Sequence, residues 1–271
     1  MDQVQLATFQ AVVETGSFDA AARRLHVTPS AVSQRIKALE SAVGQVLVRR
    51  AKPCVATPAG EALVRFAGQV ELLEREALAQ ARDGARVSIV VNADSLDTWF
   101  LPALAAVPGP SYELHTDDQD YTADLLRSGT AMAAVTAEHV AVQGCRLEPL
   151  GAMRYLPVGS GDPAQPMVVY NRKDRLQHRF LESVGRDADV PVHYVPAAAA
   201  FVEAIRLGLG WGMVPEQRAL ADIAAGHYRP LFPGKFLDVP LYWQYWKIES
   251  AVLKDLTAAV RTAAAAFLKR G

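Results

Sequence analysis

The chain contains only two cysteines, Cys54 and Cys145, and no Cys-x-x-Cys pair, so neither a disulfide framework nor a zinc-ribbon ligand set can be assembled from them. They fall in different parts of the chain and read as structural thiols in a reducing compartment, a redox switch being the alternative. The six histidines, His26, His115, His139, His178, His193 and His227, show no His-x-x-x-His or His-Glu-x-x-His spacing, which leaves no recognisable metal site. No Gly-x-Ser-x-Gly elbow is present. The glycines of GLGWG at 208–212 lack the phosphate-loop lysine and precede a strand, so they read as a turn. With no catalytic constellation visible, the expectation is a protein that is not an enzyme and carries no cofactor. No apolar run approaches the roughly 20 residues that a bilayer span needs, and the opening MDQVQLATFQ lacks the charged and apolar regions of a signal peptide. A cytoplasmic protein without a membrane partner is expected.

What the chain does have is size, apolar content and a local excess of positive charge. Its 271 residues, 51% hydrophobic and 21% charged, suffice for more than one domain with a sizeable core. The net charge of −1 conceals an asymmetry. Residues 23–52 carry Arg23, Arg24, Arg35, Lys37, Arg49, Arg50 and Lys52 against the single acid Glu40, while 21 basic and 28 acidic residues occupy the rest. Affinity for a polyanion is therefore expected to be local to this segment.

The same segment holds the most structured pattern in the sequence, FDAAARRLHVTPSAVSQRIKALE at 18–40. Val32, Ile36 and Leu39 recur at helical spacing and face a core, whereas Ser30, Ser33, Gln34 and Lys37 fall on another side of the same helix. Hydroxyls, an amide and a cation are the groups that meet base edges and phosphates, where a merely solvated face would be filled with Glu and Lys. Thr28 supplies an N-cap oxygen and Pro29 occupies the first helical position, where its missing N–H costs nothing. Ser17 caps a preceding helix over about 18–25, leaving His26 and Val27 as a tight turn. Two helices joined this way form a helix-turn-helix.

The run FQAVVETGSFDAAARRLHVTPSAVSQRIKALESAVGQVLVRR, closed by TPAG at 57–60, resembles the amino-terminal domain of LysR-type transcriptional regulators over about 60 residues without a gap. Two positions depart from that family: Val48 stands where Phe is usual and Ala56 where Leu is usual. The expected organisation is a mostly α winged helix-turn-helix domain over 1–58, a linker and dimerisation helix over 59–84, and an α/β, two-lobed, periplasmic-binding-protein-like effector domain over 85–271. Its first lobe takes about 85–160 and 241–271, its second about 161–240. Residues 3–14 read as a supporting helix with Val4, Leu6, Phe9, Val12 and Val13 apolar. The stretch VLVRRAKPCVATP reads as a wing, with Arg49, Arg50 and Lys52 able to reach phosphates or the minor groove. From Pro58 to Asp83, Leu63, Phe66, Val70, Leu73 and Ala77 form a short heptad stripe, enough to pair with a partner already held nearby. A helix packed on its own domain is the alternative. Asp83-Gly84 ends it.

Beyond Arg86 strands alternate with helices. RVSIVVNA, SYELHT, AMAAVT and YLPVG are strand runs, with helices at 95–107 and 119–128. PMVVYN, VHYVP and WGMVP follow, with helices near 173–184 and 198–208. The alternation predicts parallel, doubly wound sheets in two lobes that break near SGDPAQP at 160–166, with LYWQYWKI at 241–248 and the helix over 250–270 returning to the first lobe.

In such sheets a ligand sits at the carboxyl ends of strands, and the first strand ends in NADSLDTW. A helix starting at Ser95 offers N–H groups to a carboxylate, with Asp94 and Asp97 alongside, which suits a ligand with an anionic and a cationic end. Read more plainly, these acids only cap that helix and fill its first turn. NADSLDTWFLPAL at 92–104, VQGCR at 142–146 and NRKDRLQ at 171–177 resemble the lysine- and arginine-responsive ArgP/LysG branch of the LysR-type regulators, which controls exporters of basic amino acids. The 160–167 segment is shorter than is usual there, as if part of the crossing between lobes were missing. The resemblance carries over Asn92, Asp94, Ser95, Thr98 and Trp99 as the first-lobe side of the effector site, with Thr136 and Gln143 from the same lobe. Asn171 and Pro196 end strands facing the cleft from the second lobe, unless they are simply turn residues. Thr28, Pro29, Ser30, Ser33, Gln34, Arg35, Lys37 and the three wing cations are the expected DNA contacts. The implied protein is a homodimer or homotetramer that binds double-stranded promoter DNA and contacts RNA polymerase, with lysine or arginine closing the lobes and repositioning the DNA-binding domains. Rivals are an architectural nucleoid protein without ligand control and a regulator answering a different metabolite.

Overall fold

The computed structural model describes residues 2–79, 86–116, 122–162, 164–186 and 189–270. The chain divides into two compact units. One comprises Met1–Ser88 with Gly109–Glu113 and Ala123–Met132; the other comprises Ile89–Pro108, Leu114–Thr122 and Ala133–Gly271.

The first unit opens with three helices, α1 (Gln3–Thr15), α2 (Phe18–Arg24) and α3 (Pro29–Val43). Each start is fixed by a side chain. Asp2 and Gln5 form a reciprocal capping box, Ser17 accepts from the Ala20 N–H, and Thr28 accepts from the Ala31 N–H with Pro29 next in line. Gly16 and Gly44 close α1 and α3 in the left-handed conformation. Phe9, Val12, Val32, Ile36, Leu39 and Leu47 form one core at 0–1% exposure, each fully buried side chain contributing about 1.5–3 kcal/mol. Val4, expected in this core, is 54% exposed, so the inward stripe of α1 is Leu6, Phe9 and Val12. A hairpin of β1 (Val48–Arg49) and β2 (Val55–Ala56) forms the wing. Val48 and Ala56, the two positions that depart from the family pattern, are direct cross-strand partners, so both reductions in size fall on one contact.

Helix α4 (Pro58–Ala79) carries two apolar stripes. Val64, Ala67 and Leu72 are buried within the chain, whereas Phe66 and Leu73 are 41% and 42% exposed. The side chain of Ala77 and the expected helix end at Asp83-Gly84 lie outside the described residues.

The second unit is built on a mixed sheet. In chain order the elements after α4 are β3 (Arg86–Val91), α5 (Ala93–Ser95), a π-helical turn (Leu96–Phe100), α6 (Leu101–Ala105), β4 (Ser111–Thr116), α7 (Thr122–Arg127), β5 (Ala133–Thr136) and β6 (Cys145–Gly159), of which the starts of β3 and β4 and nearly all of α7 fall in the first unit. There follow β7 (Met167–Val169), α8 (Leu176–Ser183), β8 (Val192–Tyr194), α9 (Ala198–Arg206), β9 (Gly212–Pro215), α10 (Glu216–Ala224), β10 (Arg229–Pro230), β11 (Leu237–Trp246) and α11 (Ala251–Phe267). The main sheet runs β10-β6-β11-β5-β3-β4, with β9 also on β6. The expectation of parallel sheets is corrected here. β3 with β5 and β7 with β8 are parallel, but β11 is antiparallel to both β5 and β6, and β9 and β10 are antiparallel to β6. A continuous apolar run reports burial of both faces of a strand and carries no information on the direction of its neighbour.

Two further differences matter for the site. β6 begins at Cys145 rather than near Tyr155, because Arg146, Glu148, Pro149 and Arg154 interrupt the apolar pattern of a strand that is fully buried only at its far end. α10 was not expected at all, and it turns out to line the cleft. The crossing between lobes is made by β6 and β11, which pair from Leu237↔Tyr155 to Trp246↔Cys145, and not by 160–167, which only joins β6 to β7.

The crossing strands are locked by the chain's last residues. After α11, Lys269 makes two backbone hydrogen bonds of 2.9 Å with Ala152 of β6. Gly151 permits that approach: its φ is 126°, and a Cβ there would lie 2.6 Å from the Lys269 carbonyl oxygen. Opposite it the β11 register shifts between Leu241 and Tyr242. Replacing Gly151 by Ala is expected to lower stability by about 2 kcal/mol, read as a reduced urea midpoint of the full chain; an unchanged midpoint would contradict this account of the crossing.

Candidate functional site

Burial of Val32, Ile36 and Leu39 fixes the rotation of α3 and leaves its polar stripe outward. Ser30, Gln34 and Lys37 are exposed and Ser33 is half-buried, spaced to lie on one face, with Thr28 and Pro29 exposed at its start. The Thr28 and Ser30 hydroxyls share a hydrogen bond of 2.9 Å. Arg35 stands apart from this stripe: it is half-buried and its Nη1 donates to Thr8 Oγ1 on α1 at 3.4 Å. Arg49, Arg50 and Lys52 are exposed around the wing, with the Arg50 guanidinium 4.9 Å from the Phe18 ring centroid. The lone acid of this basic segment does not oppose them. Glu40 Oε1 accepts from the Leu47 and Val48 N–H groups at 2.9 and 3.4 Å, tying α3 to the wing. The local charge excess is therefore carried by the surface, with its one carboxylate spent on backbone donors.

The second unit contains a cavity of about 720 Å³ at the carboxyl end of β3, bounded on the other side by the turn after β7, the start of α8, and α9 and α10. Of the expected effector residues, Asn92, Asp94 and Asn171 line it, and Asp97 joins them. Ser95, Thr98, Trp99, Thr136, Gln143 and Pro196 are outside its lining. Their environments explain why. Ser95 is fully buried and accepts from the Trp99 indole N–H at 3.1 Å, while Thr98 donates to the Asp94 carbonyl. Thr136 Oγ1 accepts from the Glu138 N–H, and Gln143 and Pro196 are exposed elsewhere.

The helix start beside the cavity also differs from expectation. Asn92, not Asp94, is the N-cap: its Oδ1 accepts from the Ser95 N–H at 2.8 Å. That N–H is consequently engaged, and a carboxylate approaching this end meets acids before it meets donors. Asp94 instead accepts from the Tyr155 hydroxyl at 2.8 Å, and Asp97 is ion-paired with Arg218 of α10.

Sequence reasoning missed Tyr155, Asp174, Gln177 and Arg218. Tyr155 meets the cavity only through Asp94, and nothing in the local pattern places Asp174, Gln177 and Arg218, from a turn and two helices, around one space. Only NRKDRLQ signalled that wall, as a dense run of charge after a strand. Arg172, Lys173, Arg175 and Arg179 make the second-lobe wall predominantly basic, against Asp94 and Asp97 on the first. Three polar atoms of lining residues, Asn92 Nδ2, Gln177 Oε1 and Arg218 Nε, are buried without a hydrogen-bond partner, an arrangement that is costly unless something else meets them. Among the described residues no cluster of His, Cys, Asp and Glu could hold a metal ion.

Withdrawal of the Asp94 carboxyl from water raises its pKa to about 6, against the lowering effect of the Tyr155 hydroxyl and with further upward pressure from Asp174 and Asp97. The Tyr155 hydroxyl is pushed well above its ordinary value by burial and by Asp94. The pair thus holds a carboxylate close to its neutralisation point at the back of the cleft.

A winged helix-turn-helix joined through a long helix to a two-lobed binding unit defines a ligand-responsive DNA-binding regulator. The comparisons give the family. Residues 4–61 match the bacterial regulatory helix-turn-helix protein, lysR family, and residues 80–265 match the LysR substrate binding domain; the chain belongs to the LysR family of transcriptional regulators. It is 49% identical to the HTH-type transcriptional regulator LysG of Mycobacterium tuberculosis, covering 100% of this chain and 96% of that one. It is 43% identical to the lysine export transcriptional regulatory protein LysG of Corynebacterium efficiens, covering 99% and 100%. Full-length LysG of Corynebacterium glutamicum with bound effector Arg superposes with a TM-score of 0.83 at 41% identity, covering 99% and 100%. These relatives are regulators, not enzymes. No helix among the described residues is long and apolar enough to cross a membrane.

Because the folded pKa of Asp94 is raised, its protonated form stabilises the fold at low pH, and that contribution is lost as pH rises from about 4 through about 6. Asp94→Asn, which keeps an oxygen for Tyr155, is expected to match the wild type at pH 4 and to exceed it at pH 7.5 by on the order of 1–3 kcal/mol, measured by thermal melts across that range.

Proposed function

We propose that this chain is a homodimeric, or tetrameric, promoter-binding regulator whose cleft takes lysine or arginine and which controls an exporter of basic amino acids. The observation that carries the ligand reading is the polarity of the cavity. Acids on the first-lobe wall face cations on the second, which suits a molecule with a cationic end and a carboxylate some distance apart. In this reading the side-chain cation lies against Asp94 and Asp97 and the carboxylate meets the basic wall, the reverse of a carboxylate seated on the helix start. The bound effector Arg of a full-length relative and the role in lysine export named for another support the same class of ligand. Ser95 and Trp99 then support the first-lobe wall from behind, and Thr98, Thr136, Gln143 and Pro196 make no contact with the ligand.

DNA recognition rests on α3. Ser30, Ser33, Gln34 and Lys37 enter a major groove, led in by Thr28 and Pro29. Arg49, Arg50 and Lys52 meet phosphates from the wing, and Arg35 supports the helix from the α1 side. The exposed Phe66 and Leu73 on α4 are the face on which a second copy pairs, which sets two reading helices about one DNA turn or a multiple of it apart. Such a protein works in the cytoplasm beside RNA polymerase. The second reading, an architectural nucleoid protein, uses the same helix but has no need of a charged cleft.

Replacing Ser33 and Gln34 together by Ala is expected to remove the preference for the cognate promoter over random DNA while leaving salt-dependent nonspecific binding in place, as read by competition binding. Retained preference would refute the role of α3. Arginine or lysine should give calorimetric heat at pH 7.5 and bind more weakly at pH 5.5, where Asp94 has taken up a proton. Absence of heat with a broad amino-acid panel would favour the architectural reading.

A further inference from the structure

Helix α10 begins with three consecutive residues that each hold an element outside their own helix. Glu216 is ion-paired with Lys269, Gln217 Nε2 donates to the Phe267 carbonyl at 2.7 Å, and Arg218 is ion-paired with Asp97. The first two grip the end of α11 and the tail that pairs with β6. The third reaches from the second-lobe wall to the first. Arg218 and Asp97 both line the cavity, and Glu216, Gln217, Phe267 and Lys269 do not. Of the three grips, only the third is therefore open to a molecule in the cleft.

We propose that Arg218 is a specificity-determining residue that acts as an internal stand-in for the ligand: its guanidinium occupies Asp97, and a cationic ligand must displace it to bind. The inference rests on the reading of the cleft as a site for a basic amino acid. Three observations carry it. The chemical group on Asp97 is the same group that an arginine ligand would present there. The pair is about one-third exposed on both sides, at 30% and 31%, so exchange takes place where water already reaches. The bond to Asp97 is made by Nη1 while Nε is buried without a partner, so the guanidinium is not seated on the carboxylate by a two-pronged pairing. An exposed ion pair is individually weak, so the displacement is small enough for a ligand with additional contacts to accomplish. A neutral side chain gains nothing at Asp97 and leaves Arg218 in place. Asp97 supplies the attraction for positive charge, and the stand-in weakens binding of cationic ligands alone, setting how far they are preferred to neutral ones.

Isothermal titration of the full chain with L-arginine, L-lysine and L-citrulline, whose side chain is neutral, tests this. Arg218→Gln and Arg218→Met should each bind arginine roughly 3- to 5-fold more tightly than the wild type, with citrulline unchanged, so that the preference for charge grows. In an Asp97→Asn background, Arg218→Gln should give no such gain, because the position competed for has gone. If wild type binds arginine but Arg218→Gln binds it equally or more weakly, Arg218 is a bystander or a ligand contact and the proposal falls alone. If the wild type binds neither arginine nor lysine, the reading of the cleft falls and takes the proposal with it.

Discussion

The pairing of β6 with β11 is the constraint on which the binding unit depends. Both strands pass from one lobe to the other while hydrogen-bonded to each other, so the lobes are joined by a two-stranded ribbon and not by a single flexible chain. The first-lobe strands hang on β11 through β5, and β9 and β10 hang on the last residues of β6. Tyr155 sits where these pairings meet, opposite Leu237 on one side and Pro215 on the other. Its hydroxyl reaches Asp94 at the cleft wall. Tyr155 is thus at once the hydrogen-bond partner of Asp94 and a member of both strand pairings.

The DNA-binding unit follows from a similar economy of faces. One apolar stripe on α3, buried with Phe9, Val12 and Leu47, sets the helix rotation, and the polar stripe is then outward by geometry. The only acid in the basic stretch is withdrawn to cap the wing. Substitution at Val48 or Ala56 acts on one cross-strand contact, which is why two departures from the family pattern leave a wing of ordinary register.

How much of this was legible beforehand depended on whether the signal was local. Ser17, Thr28 and Pro29 announce two helix starts because a cap acts within three residues of itself, and both starts are found where they were read. The polar and apolar stripes of α3 were readable for the same reason. Strand direction was not, since partners of β11 lie some 100 residues away in sequence and the apolar pattern is indifferent to their orientation. The lining of the cavity was half legible. Asn92, Asp94 and Asn171 lie at strand ends, where a crevice is expected. Arg218 lies in the first turn of a helix whose only large apolar residues are Leu220 and Ile223, and Gln177 looks like any helix amide until its burial is known. Ser95 and Trp99 show the opposite error: they stand in the motif that marks the site, yet they bond to each other and pack the wall from behind.

The clasp on α10 bears on how such a cleft can signal. A ligand moves an equilibrium only by its differential affinity for the two states. If the cleft of the free protein were held open by repulsion between its walls, ligand charge alone would close it and any cation would serve. Here the walls already carry a bond across the space, Arg218 to Asp97, and under the proposed exchange the charge that a ligand brings to Asp97 replaces one already there. The exchange is close to neutral electrostatically and is worth no more than about 1 kcal/mol in either direction. The larger part of the effect must then come from what Arg218 does not supply, namely the carboxylate end of the ligand against the basic wall and the unpaired Asn92 and Gln177 groups. On this argument a molecule with only a cationic end occupies the cleft without switching it, and one with both ends correctly spaced does both.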